Sequence, residues 1–394
     1  MAEPRRIYLD GSAGLPTDPR VLEASEPYFT KRFGNPSSVH MFGRESRTAL
    51  EGARKSVAEL LNAREPKEVL FTSCATEATN LAIKGLAQRN RAEGNHLVIS
   101  QMEHMSVINT CKFLQKNGYE VTQVPPNKEG IMEMADLEKA IKKETLLVSV
   151  MWANNEIGTI QPVEDIGKLC AEHDVYFHTD AVAAAGRIPI DVQRARVDLL
   201  SLSSNDLFGP KGAGALYVRE GTRIESIIQG GGQERGLRSG SENIPAIVGF
   251  GRAAEIARSE MGPEMARLQV LRDKLIWGIT STIKETYLNG SAVHRLPTNA
   301  SIRFLYIEGE SLILNLEMKG VAVSSGSACA SKTLEPSHVL RCIGLPHEEA
   351  HGTLQFSLNR WTHEEDIDHV IAVMPEIVKR LRDMSPLTPE TLRD

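Results

Sequence analysis

The residues best suited to chemistry lie where apolar runs end. The run VDLLSLSS leads into Asn205 and Asp206, the turn GPKG follows, and GALYV begins a second apolar run. Strand ends followed by such turns carry reactive groups in α/β proteins, so an aspartate at this point is a candidate functional group. A second carboxylate, Asp180, ends the run VYFHTD. It is either solvated or paired with a protonated ring nitrogen. FTSCATEATN ends another strand and opens a helix at Ala75 and Thr76, where free amides and a hydroxyl make an anion cup. Taken alone, Thr76 or Ser73 reads as a helix cap. The two asparagines of WANNEIG read as a turn. GGGQERGLRSGSEN sets Arg235 and Arg238 among glycines, either an anion loop or a plain turn.

Cys329 stands in VSSGSACASKTLEP, flanked by Ser, Gly and Ala. Neighbours this small and polar do not build a core, so the thiol is expected on an exposed, functional loop, with Lys332 close enough to favour a thiolate. Cys342, in HVLRCIGL, reads instead as a small buried hydrophobe.

Positioning these groups falls to strands and helices that alternate along the chain. EVLFTS precedes ATEATNLAIKGLAQRNRAEG, HLVIS precedes EHMSVINTCKFLQKNG, and LLVSVMWANNE precedes PVEDIGKLCAEHD. The apolar runs are continuous rather than alternating, as in parallel strands covered on both faces. The pattern predicts an α/β domain over residues 16–258. From about Ser259 a long charged helical stretch leads into NASIRFLYIEG and a Ser/Gly loop, so residues 1–15 and 259–394 are expected to form a smaller α+β domain carrying Cys329. The end, from Arg380, is polar and expected to fray.

At 394 residues, 41% hydrophobic and 24% charged, the chain has the balance of a soluble globular protein with a large core. A net charge of −6 argues against a nucleic-acid partner, which needs a basic surface. No apolar run approaches the ~18 residues of a membrane span. No signal peptide is expected, since the start lacks an apolar core segment. The five cysteines are scattered without a C-x-x-C pair, which fits a reducing cytoplasm and neither zinc nor a disulfide framework. No G-x-G-x-x-G follows the first strand, and no P-loop is present.

Taken together and in order, IYLDGSAGLPTDPRV, FGNPSSVH, FTSCATEATNLAI, EHMSVI, NNEIGTIQP, HTDAV, GPKGAGALYV, GGGQERGLRSGSEN, SSGSACAS and RLRDMSPL resemble the cysteine desulfurases of the IscS/NifS type. The resemblance covers nearly the whole chain. It implies fold type I of the pyridoxal-phosphate (PLP) enzymes, class V of the aminotransferases, with a mainly parallel seven-stranded sheet, and a homodimer that feeds iron–sulfur cluster assembly on an IscU-type scaffold. It also implies roles for residues. Ala75, Thr76 and Ser203, with Ser241 from the other subunit, would hold the cofactor phosphate. His104 would stack on the ring, Asn155 and the residue at Asn205 would contact the cofactor, and Asp180 would pair with the pyridinium nitrogen. Asn35 and the residue at Gln355 would hold substrate, and Cys329 would take its sulfur as a persulfide.

Four positions depart from that pattern. Asp206 occupies the place of the lysine that forms the Schiff base with PLP, and a carboxylate forms no imine. Asn205 replaces a histidine, Ala183 a glutamine, and Gln355 the arginine that clamps the substrate carboxylate. Cys74 stands where glycine is usual and reads as structural, as does Arg360. The resemblance with these losses implies a chain without most or all desulfurase activity. PLP would be bound non-covalently and at low occupancy, and Cys329 would serve the scaffold as a persulfide carrier or an iron–sulfur cluster ligand. A working cysteine desulfurase using free PLP is the alternative. A different PLP reaction fits less well, because the carboxylate clamp is gone.

Overall fold

The computed structural model describes residues 6–325 and 336–392, so Cys329 and most of its loop lie outside the described residues. In chain order the strands are β1 (Ile7–Tyr8), β2 (Val69–Thr72), β3 (His96–Ser100), β4 (Glu120–Val124), β5 (Thr145–Ser149), β6 (Tyr176–Asp180), β7 (Leu199–Ser203), β8 (Gly214–Val218), β9 (Thr286–Leu288), β10 (Asn299–Phe304), β11 (Val321–Ala322) and β12 (Thr353–Ser357). Among the described residues the largest sheet has seven strands, ordered β2-β8-β7-β6-β5-β3-β4. Strands β3 to β7 run parallel, and β8 runs against both β7 and β2. Every residue of β3, β5, β7 and β8 is buried, as their unbroken apolar runs require once helices cover both faces. The reversal of β8 follows from the GPKG turn, which is too short for the crossover a parallel partner needs.

Gly214 pairs with Ser203 on one side and Thr72 on the other. A Cβ there would lie 2.5 Å from the carbonyl carbon of Cys74. Glycine therefore lets the chain cross β8 closely and start the Ala75–Arg89 helix over β7 and β8. The helix is capped at Cys74 without any side-chain bond, so neither Ser73 nor Thr76 is its cap.

A second core joins β1, β10, β11 and β12 to the Gly309–Glu317 and Glu364–Met384 helices; it includes Leu9, Ile302, Phe304, Leu312, Phe356 and Val370. The helix Ile244–Thr282 serves both cores. Its first half packs against the Met41–Leu60 helix, where Gly251 meets Ala53, and Leu268, Leu271, Leu275 and Ile279 of its second half enter the second core. Ser259 therefore lies within a continuous helix. The end of the chain does not simply fray. Arg382 is buried, and its guanidinium donates to the carbonyls of Lys284, Glu285 and Leu305 at 2.8, 3.0 and 3.3 Å, which tie the last helix to the segment before β9 and to the end of β10. Five donors on one side chain make such a buried arginine tenable, and composition alone does not reveal it. Among the described residues no helix is long and apolar enough to cross a membrane.

Candidate active site

The carboxyl ends of the parallel strands gather the polar residues singled out in the sequence. Asp180 ends β6 and pairs in register with Ser201, and Ser203 ends β7 beside it. Asn205 and Asp206 follow in a single 3-10 turn, closed by Phe208 in the left-handed conformation (φ 61°). Arg360 lies over the Phe208 ring at 4.5 Å and pairs with Asp18 at 2.5 Å and Glu264 at 3.1 Å, so Arg360 braces this turn.

The side chains of the turn bond to one another. Ser203 Oγ donates to Asn205 Oδ1 at 2.5 Å, and Asn205 Nδ2 donates to Asp206 Oδ2 at 2.9 Å. Burial pushes the Asp206 carboxyl up to about 6, against the pull of the Arg187 guanidinium; Asp180 raises it further. Both Asp206 and Arg187 line a small cavity of about 20 Å³. Arg187 donates to the Ala183 carbonyl at 3.2 Å, and burial lowers its pKa while Asp206 raises it.

Asp180 is buried, and its Oδ1 accepts the Val182 N–H at 3.0 Å. Burial raises its pKa, opposed by that N–H and by His104. His104 caps the Met105–Lys116 helix through Nδ1, which bonds Ser106 Oγ at 2.8 Å and accepts its N–H at 3.1 Å. Thr76 and His104 line one open groove of about 430 Å³ with Asn80, Lys84 and Asn109. Beneath them Glu103 is fully buried; Oε1 accepts the Met151 N–H at 2.7 Å, and Oε2 has no partner among the described residues. Burial raises the Glu103 pKa well above its ordinary value, against the Met151 N–H, and Asp180 raises it further.

Gln355 is buried in β12. Its Nε2 lies 2.5 Å from the Asn155 carbonyl, 2.9 Å from Ser12 Oγ and 3.1 Å from Ser357 Oγ, so two amide hydrogens already face three acceptors. Its backbone N–H donates to Ser324 O at 2.7 Å. Asn155 thus joins Gln355 through its main chain. Asn35 stands apart: it is exposed, and its Oδ1 accepts the Ser37 N–H in a tight turn. Ser241 is exposed on the segment that precedes the Ile244–Thr282 helix. Ala75 opens its helix with no side-chain cap competing for the first amides. The turn reading of Asn154 holds, since its Oδ1 accepts the N–H groups of Glu156 and Ile157 at 2.9 Å each.

Two members of this site are not singled out by sequence reasoning. Arg187 is the lone charge in AVAAAGRIPI, and Glu103 lies between Met102 and His104. A charge isolated in an apolar or motif-bearing run is the signal that finds both.

Known proteins share this architecture. The aminotransferase class-V family model matches residues 7–370. A protein named cysteine desulfurase IscS 1, from Archaeoglobus fulgidus, is 52% identical over 380 residues, covering 96% of this chain and 99% of that one. The human protein named cysteine desulfurase is 46% identical over 386 residues, 97% of this chain and 84% of its own. The solved structure of a NifS-like protein superposes with a TM-score of 0.89 at 36% identity, covering 95% of this chain and all of that one. The chain belongs to the class-V aminotransferase family, among the cysteine desulfurases of the IscS/NifS type.

Proposed function

We propose that this chain keeps the desulfurase fold and dimer but not lysine-anchored PLP chemistry. It acts as a cytoplasmic, dimeric partner of an IscU-type iron–sulfur scaffold, to which Cys329 offers a thiolate ligand or passes on sulfane sulfur received from a separate donor persulfide, whose thiolate leaves. The observation that carries this reading is Asp206, half-buried in the turn that follows β7 and bonded by Asn205 at 2.9 Å. A carboxyl group offers no amine for an imine, so lysine-type anchoring of PLP is lost at this position.

The residues present fit PLP in part. Asp180 suits a pyridinium nitrogen, His104 a ring face, and Ala75, Thr76 and Ser203 a phosphate, so non-covalent binding at low occupancy is the form proposed. When bound, PLP supplies an electron sink. Gln355 is not a free clamp for an amino-acid carboxylate, since its amide is already engaged with Ser12, Asn155 and Ser357. The exposed Leu22, Phe29, Phe33, Val39, Met41 and Phe42 support a homodimer, because a monomer rarely leaves so many large apolar side chains together in one stretch of chain. Retention of His104, Asp180 and Cys329 favours a second reading, an active cysteine desulfurase that converts L-cysteine to L-alanine and a persulfide. Alanine release from L-cysteine with added PLP tests the second reading, and borohydride reduction followed by intact mass tests the first. No addition is expected, and one stable pyridoxyl-phosphate on a lysine near Asp206 would sink the proposal.

A further inference from the structure

Strand β2 is an edge of the large sheet, and β8 pairs with it on one side only. On the open side Phe71 N–H and Val69 C=O would lack partners, and an edge of this kind is normally covered or blunted. Here two side chains do what a neighbouring strand would do. Glu234 Oε2 accepts the Phe71 N–H at 2.9 Å, and Arg54 Nη1 donates to the Val69 carbonyl at 2.8 Å. The same two side chains form a bidentate pair at 2.7 and 2.8 Å, both nearly fully buried. Arg54 also lies 5.1 Å over the Phe71 ring.

Glu234 reaches this place at a cost to its backbone. Glu234 and Arg235 are both left-handed, at φ 46° and 58°, and neither is glycine. Strain of this kind persists only where the surroundings over-determine it. Further along the same segment, Arg238 pairs with Glu77 at 2.7 Å, and Glu77 accepts the Ser73 N–H at 2.9 Å. Glu77 lies in the first turn of the Ala75–Arg89 helix, beside Thr76. The segment is therefore pinned twice along β2, at the level of Phe71 and at the level of Ser73. Ser239 and Gly240 are held back by bonds to Gly232 and Gln233, and Ser241 emerges exposed from the strap.

We infer that Arg54 and Glu234 are positioning residues, which lay the 230–241 segment along the open edge of β2 and so fix where Ser241 meets the phosphate cup of a second copy of this chain. The inference rests on the proposed function, in which Ser241 serves that second copy. An edge cap alone needs no strained backbone and no second pin beside the cup. A strap that must deliver one hydroxyl to a set place needs both.

The test compares wild type, Ser241→Ala, and the double variant Arg54→Met/Glu234→Leu. The double variant leaves no lone buried charge and therefore keeps the fold accessible. Glu234→Gln is run beside it. Sedimentation velocity fixes the oligomeric state, and equilibrium dialysis measures PLP and pyridoxal, which differ by the phosphate. Expected are a fivefold or greater loss of PLP affinity in the double variant and in Ser241→Ala, with pyridoxal within twofold of wild type, and faster amide exchange at Phe71 in the double variant. PLP affinity within twofold of wild type in the folded double variant overturns the inference, as does an equal loss for PLP and pyridoxal, which would mark a merely structural role. A loss in the double variant with none in Ser241→Ala overturns instead the role of Ser241 in the proposed function.

Discussion

Asn205 donates from Nδ2 to Asp206 at 2.9 Å while its Oδ1 takes the hydroxyl proton of Ser203 at 2.5 Å. One amide thus fixes two groups at once. The Ser203 hydrogen, which a phosphate would want, points to Asn205, and Asp206 is held by a neutral donor rather than by a cation. Arg187 is near enough to pull on the carboxyl through space.

Asp206 should therefore make stability depend on pH. Its folded-state value, about 6, lies above the ordinary 3.8, so the folded chain holds the proton more tightly than the unfolded one. The associated stability is complete below about pH 4 and lost as pH rises through 6, a difference of ~3 kcal/mol. Asp206→Asn keeps the Asn205 bond and removes the titration. Urea denaturation should find it ~2–3 kcal/mol more stable than wild type at pH 8 and close to equal at pH 4. Equal stabilities at pH 8 would overturn the raised value for Asp206.

Asp206→Lys alone should restore covalent attachment of PLP better than it restores turnover. The attachment needs only an amine at that position, whereas turnover also needs a grip on the substrate carboxylate. Adding Gln355→Arg supplies a charged fork in place of an amide already bonded to Ser12 and Asn155. Desolvated charge-assisted pairs of this kind are worth ~2–5 kcal/mol, so kcat/KM should rise by roughly thirtyfold or more. Equal rates in the single and double variants would show that Gln355 is not the missing clamp.

Cys329→Ser should leave folding and dimerisation intact, because a thiol among Ser, Gly and Ala contributes little packing. It should shorten the life of a cluster on the scaffold. Anaerobic mixing with the scaffold protein, iron and sulfide, followed by cluster absorbance, reads this directly. The same yield and lifetime for wild type and variant would make the thiol an inherited relic.

Arg235→Gly should stabilise the chain. A left-handed L-residue costs ~1–2 kcal/mol and glycine gives back part of that in chain entropy, so a gain of ~0.5–1 kcal/mol is expected in thermal denaturation. A loss would show that the Arg235 side chain contributes more than its backbone costs.

Much of the large sheet was legible because burial on both faces leaves an unbroken apolar run, as in HLVIS and LLSLS. The strand-end positions of Asp180, Ser203 and Asp206 followed from the same runs. What was not legible depends on tertiary partners. The helix through Ser259 continues because Glu260 and Glu264 find Arg20 and Arg360, residues distant in sequence. Arg382 is buried because three carbonyls from other segments converge on it. The Arg54–Glu234 pair spans 180 residues of sequence, and no local pattern announces it.

The helix that serves both cores also has a mechanical meaning. At 1.5 Å per residue, Ile244–Thr282 is a rod ~58 Å long, and Pro263, which cannot donate a helical hydrogen bond, sits between its two buried stretches. Arg20 and Arg360 grip Glu260 and Glu264 on either side of that proline, at 2.5 and 3.1 Å, like a splint across a notch. Melting either core would cut the rod's support for the other. Heat should therefore take both apart in one calorimetric transition, and removing the splint with Arg360→Met should be what first separates them into two.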